Sequence, residues 1–185
     1  MSRRNALTLA VPVSVADHSL GREDARVTLV QYGDYECSFC AAAQPILRDV
    51  RLRLGDALRF VFRHFPLRQV HAHAEHAAES AEAAAEQDAF WLMHNVLYRN
   101  QRALRDADLL GYAAELGLDT RRVAKDLVHA TKEQRVHRDV SSGIRSGVRT
   151  TPAFFINGVR HAEPWATGSL LIALERATHT TTRGE

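Results

Sequence analysis

Both cysteines of this chain fall within four residues, Cys37-Ser38-Phe39-Cys40, so no disulfide can staple distant parts of the fold together. A bond closing so short a loop takes little entropy from the unfolded chain, about 2 kcal/mol at best. Stability must come from a hydrophobic core, and 185 residues with 45% hydrophobic content suffice for one. The flanks of the pair narrow the choice further. Residues 27–36 read as a buried strand and a turn, and the amphipathic stretch after Cys40 reads as a helix. Cys37 then lies at a helix N-terminus, where free N–H groups and the helix dipole favour a thiolate. Two thiols so placed suit a bond that is made and broken in turn.

Other uses of the pair are weaker. Structural zinc needs four ligands, and CxxC supplies two. His64, His71, His73 and His76 are available, but no second CxxC, CxxH or HxxxH pairs with the first. The run His71-x-His73-x-x-His76 does not place its imidazoles on one helical face and reads as a solvated helix start. Neither a metal nor a cofactor is expected. With 24 basic against 22 acidic residues, the charge is too balanced to argue for nucleic acid or an anionic membrane. No stretch approaches the ~20 apolar residues of a membrane span.

Along the chain, Leu7, Leu9, Val11, Val13 and Val15 alternate as in a short edge strand, where Pro12 is tolerated. Behind Arg3-Arg4 the same run resembles a signal peptide, yet Pro12 and Ser14 interrupt it. A mature strand and a cytoplasmic protein are expected; a signal over residues 1–16 would mean a periplasmic or secreted one. Residues 17–24 read as a polar turn, Val27 to Tyr32 as a strand, Ser38 to about Leu54 as a helix, and Leu58 to Arg63 as a third strand. From His71 to Val148 the pattern is helical. Phe90, Trp91 and Met93 read as helical core, and Asp106 and Asp119 as N-caps. Ala153 to Ile156 returns to strand character, Asn157-Gly158 signals a type I′ hairpin, and Leu170 to Ala177 fits a last helix before a frayed tail.

That order, with CxxC opening the first core helix and Thr151-Pro152 before a Phe-Phe-Ile-Asn-Gly hairpin, resembles the DsbA-like branch of the thioredoxin fold. Asp17-His18 with Gly21, residues 32–37, residues 63–67 and residues 151–155 look like signatures of that family. The subgroup is similar to thioredoxin-like domains fused to sodium/proton antiporters. The resemblance implies an α/β thioredoxin fold with an inserted helical subdomain. It implies one DsbA-like domain over 1–185, with a core at 9–68 and 149–178 and a helical insertion at 69–148.

By position, Cys37 would be the exposed nucleophile and Cys40 the buried resolving thiol. Pro152 would be a cis-proline facing the disulfide, with Thr151 presenting its backbone to an extended substrate; Phe39 would add a substrate contact. From the residues alone, Pro152 would rather open an edge strand in trans. Three positions depart from the family pattern: Ser38 stands where many members have Pro, and Phe39 replaces the usual His or Tyr. Gln31 stands where thioredoxin-like enzymes commonly place a buried acid. An amide cannot titrate, so Asp34, Glu36 or solvent would have to relay the resolving thiol's proton. His64 is a further candidate for tuning the thiols.

The activity implied is thiol–disulfide exchange with protein or small-molecule disulfides, with an electron-donating reductase as redox partner. Two other readings stand beside it. One is a glutathione-dependent transferase or isomerase of the kappa type, which needs no resolving thiol and so does not explain Cys40. The other is a non-enzymatic module that senses redox state or holds zinc.

Overall fold

The computed structural model describes residues 7–180. Its first half holds β1 (His18–Leu20), β2 (Val27–Gly33), α1 (Ser38–Leu54) and β3 (Leu58–His64). Five helices follow: α2 (Ala74–Ala85), α3 (Phe90–Arg99), α4 (Asp106–Glu115), α5 (Thr120–Val128) and α6 (Glu133–Arg145). The chain closes with β4 (Ala153–Ile156), β5 (Val159–Arg160) and α7 (Ser169–Thr180). It divides into two compact units. One comprises the residues up to Tyr32, Ala42–Arg63, and those from Ser142 onward; the other comprises Gly33–Ala41 and His64–Ser141.

The first unit is built on a five-stranded sheet in the order β1-β3-β2-β4-β5. The central strands β2 and β3 are buried along almost their whole length, as strands covered on both faces must be. β4 runs antiparallel to β2, setting Val30 against Phe155 and Gln31 against Phe154. Asn157 and Gly158 turn β4 into β5 at φ values of 47° and 81°, the left-handed pair that a type I′ turn requires. Asn157 is also tied to β2, its Oδ1 accepting from the Thr28 amide at 2.8 Å.

The N-terminal segment differs from the expected strand over residues 7–15. Pairing there is confined to an isolated bridge between Thr8 and Val159. Just beyond it, the carbonyls of Val11 and Pro12 accept from the Arg63 guanidinium at 2.9 and 3.0 Å instead of from a strand. The sheet's edge comes from the expected turn: His18–Leu20 pair with Phe60–Phe62 of β3. Gly21 ends that strand at φ 92°, where a Cβ would collide with the Leu58 carbonyl.

The same arginine organises this unit. Arg63 is 2% exposed, and its Nε and Nη2 donate to the two Asp17 carboxylate oxygens at 2.7 and 3.0 Å. Its Nη1 also donates to the Tyr32 hydroxyl at 3.0 Å. Asp17 and Arg63, two of the signature residues, are therefore a buried ion pair.

In the second unit, α2 is an Ala-rich helix buried on nearly every side. Small side chains let α3, α4 and α5 pack close against it. Phe90 and Met93 of α3 are core, as their spacing predicts. Asp119 caps α5, accepting from the amides of Arg121 and Arg122 at 3.0 and 3.1 Å. Asp106 does not cap α4. The N-cap residue is Arg105, whose amide donates to Asp108 at 3.0 Å, while the Asp106 carboxylate pairs with His76 at 2.6 Å. No helix among the described residues is long and apolar enough to cross a membrane.

Candidate active site

Cys37 immediately precedes α1, and its carbonyl accepts from the amides of Cys40 at 3.0 Å and Ala41 at 3.2 Å. The second of these is the helix's first i to i+4 bond, so Cys37 is its N-terminal cap residue. The two cysteines lie 3.8 Å apart. One expectation is corrected here: Cys37 is 5% exposed, not an open nucleophile. The loop after α3 draws in against it, because Gln101 Nε2 donates to the carbonyls of Tyr35 at 2.6 Å and Cys37 at 2.9 Å. The exposed residues of the motif are Ser38 and Phe39, the latter at 65%.

The turn ahead of the cysteines is held by its own carboxylates. Asp34 is buried; Oδ1 accepts from the Glu36 amide and Oδ2 from the Leu67 amide, both at 2.8 Å. Asp34 Oδ2 also meets His71 Nδ1 at 2.8 Å, and the Cys37 amide donates to the Asp34 carbonyl at 3.3 Å. Glu36 accepts from the His73 amide at 2.7 Å. Both candidate relay acids thus fasten the 34–37 turn to the 67–73 segment. Burial opposes protonation of His71, but the Asp34 bond and the negative fields of Asp34, Cys37 and Glu36 outweigh it and raise its pKa.

Beside this turn lies an aromatic layer. The Tyr35 hydroxyl bonds to His94 Nδ1 at 3.1 Å, and the rings of Tyr35 and Tyr98 sit 4.8 Å apart between centroids. Burial pushes both phenols well above their ordinary range, with the field of Glu82 adding at Tyr35 and that of Cys40 at Tyr98. Both therefore stay neutral and offer hydroxyls, not charges.

The other sequence candidates divide between the two units. His64 is fully buried and committed to a polar network: its amide donates to Asp139 at 3.0 Å and its Nε2 pairs with Glu82 at 2.9 Å. Thr151 and Pro152 belong to the sheet-bearing unit, just before β4, and the peptide bond between them is cis. Gln31 is in the same unit on β2, fully buried, and neither its Oε1 nor its Nε2 has a hydrogen-bond partner among the described residues. An unpaired buried amide costs about 1–3 kcal/mol. Gln31→Leu is therefore expected to raise unfolding stability by about 1 kcal/mol or more, and Gln31→Glu to lower it. Urea unfolding curves check this, and an unchanged or weaker Gln31→Leu protein would contradict it.

Two residues of this site were not singled out from the sequence. Gln101 carries no local signal, since a loop glutamine 64 positions from Cys37 belongs to no motif. His71 reads in the sequence as part of a solvated helix start rather than as a metal ligand, and its partner proves to be a carboxylate. Among the described residues, the sets of side chains that could converge on a metal, such as Glu75, Glu133 and His137, include neither cysteine.

The sequence matches the family model described as Thioredoxin over residues 14–176. It is 44% identical over 172 residues to the Na(+)/H(+) antiporter NhaA 3 of Salinispora tropica, covering 92% of this chain and 26% of that protein. The chain thus spans about a quarter of the length of the antiporter relatives it matches. The fold is similar to oxidised BdbD from Bacillus subtilis, with a TM-score of 0.82, 21% identity, and 94% and 98% of the two chains covered. It is also similar to MdbA, a thiol-disulfide oxidoreductase from Corynebacterium diphtheriae, with a TM-score of 0.68, 16% identity, and 88% and 89% coverage. Since the family match takes in the strand–CxxC–helix junction, the sheet and the helical segment alike, this chain belongs to the thioredoxin family and has its DsbA-like fold.

Proposed function

We propose that this chain is a thiol–disulfide oxidoreductase whose Cys37–Cys40 pair exchanges with disulfides of polypeptides or small molecules. The observation that carries the reading is the placement of two cysteines 3.8 Å apart at the opening of α1. A thiolate at Cys37 attacks one sulfur of the substrate; the substrate S–S bond breaks, a mixed disulfide forms, and the other sulfur leaves as thiolate. Cys40 then attacks Cys37 Sγ. The Cys37–Cys40 bond forms, and the second substrate sulfur leaves with the Cys40 proton as a thiol. Two electrons have passed to the substrate, and the reverse sequence oxidises a substrate dithiol.

The description of the similar MdbA protein supports the reaction class. Cys40 favours exchange over a glutathione transferase, whose chemistry would leave it idle. Phe39 is the apolar contact for a polypeptide, since of the two exposed residues of the motif, Ser38 and Phe39, it is the large apolar one. The test is reduction of insulin disulfides with a dithiol as recycling reductant. Turnover above the dithiol background is expected, and a rate equal to background would overturn the reading. Phe39→Ala should slow insulin reduction several-fold while sparing a small-molecule disulfide, as loss of one exposed apolar contact costs about 1 kcal/mol. Equal slowing of both substrates would remove Phe39 from substrate binding.

A further inference from the structure

We propose that His71 supplies the fixed positive charge that holds Cys37 as a thiolate, a role the Phe39 position leaves vacant between the cysteines. This rests on the reading of Cys37 as the attacking thiol. Three features of the helical unit carry it. His71 is anchored, its Nδ1 at 2.8 Å from an Asp34 oxygen that also takes the Leu67 amide. Its anchor is continuous with the reactive residue, because the Asp34 carbonyl accepts from the Cys37 amide. The 67–73 segment is fixed a second time when the His73 amide meets Glu36. The imidazole cannot drift from the turn without breaking these bonds.

His71 touches Asp34, and the negative fields that act on it come from Asp34, Cys37 and Glu36, all carried by the turn. Nothing among these competes with the imidazolium for the thiolate. The other nearby histidines have different commitments: His94 is bonded to Tyr35, and His64 to Glu82. Coupling between two sites is reciprocal in free energy. If the Cys37 thiolate favours a proton on His71, that proton favours the thiolate by the same amount.

The charge pair makes reduction a proton-coupled event. When a substrate dithiol reduces the Cys37–Cys40 bond, two electrons and two protons leave the dithiol, which closes to its disulfide. Cys40 takes one proton as a thiol. His71 takes the other, and Cys37 is left as the thiolate beside it. In the disulfide form the negative charge is gone, so His71 releases its proton more readily.

His71→Asn separates charge from scaffolding, since its amide can still donate to Asp34 but carries no charge. Reaction of Cys37 with limiting iodoacetamide, followed across pH, is expected to slow about tenfold near neutrality in this variant, the effect of one lost opposite charge. Its midpoint should move to higher pH, with the thermal unfolding midpoint retained. NMR titration of the His71 ring in the wild-type protein gives a second readout, independent of the variant's folding. The ring should titrate at higher pH in the reduced protein than in the disulfide form. An unchanged alkylation profile in a folded His71→Asn protein, or identical titration in the two redox states, would overturn the proposal. Neither readout uses a disulfide substrate, so absence of insulin turnover beside a shifted profile would sink the proposed activity alone.

Discussion

Cys37→Ser is expected to abolish disulfide exchange, a loss of about three orders of magnitude or more, because no other thiol is placed to open the substrate bond. Cys40→Ser should behave differently. Its first step survives and its second cannot occur, so mixed disulfides between Cys37 and substrate should accumulate and be visible on non-reducing gels. The assignment follows from the helix: Cys37 caps α1, and Cys40 lies a turn further in and is fully buried. Because Cys37 itself is only 5% exposed, small alkylating reagents should outpace bulky ones at it by more than they do with free cysteine. Trapped complexes in Cys37→Ser but not in Cys40→Ser would reverse the roles.

Arg63→Ala should be the most destabilising single change in the sheet-bearing unit, at about 3–5 kcal/mol. The cost comes from what it abandons rather than from what it removes. Asp17 would be left as a buried carboxylate without its guanidinium, and the carbonyls of Val11 and Pro12 would lose their donor. The N-terminal segment would be released with them. Burial by itself would depress the Arg63 pKa, but its bonds to Asp17 and Tyr32 more than offset this, so it stays charged throughout the accessible pH range. Pairing the change with Asp17→Leu should recover much of the loss, as replacing both ions by apolar groups commonly does. Urea unfolding of the single and double variants checks this. A single-variant loss below about 1 kcal/mol would show that the pair does not hold the segment.

These two sites also mark where sequence reasoning ends. The strand–turn–helix junction at the cysteines was legible because local patterns encode it: a buried strand, then an amphipathic helix. The Asn157-Gly158 hairpin was legible for the same reason, since both residues must adopt positive φ. Asp17 and Arg63 stood out as signature residues, but nothing local joins positions 46 apart, so their ion pair stayed hidden. The alternation over residues 7–15 suggested a strand. In the folded chain the backbone there instead serves the buried arginine, a tertiary demand that overrides local propensity. His71 looked like the start of a solvated helix because its spacing to His73 and His76 was judged against metal geometry. Its partner lies 37 residues upstream in the cysteine turn.

Equilibration of the protein in graded glutathione buffers, with thiols trapped and counted at each step, tests the central claim most directly. The account predicts one two-electron transition in which Cys37 and Cys40 oxidise together. Its potential should lie in the range of catalytic dithiols, about −270 to −120 mV. A potential below about −300 mV would mark a structural disulfide, and failure of the two thiols to pair would mean that they do not form a redox couple. Either result would contradict an exchange function for this chain.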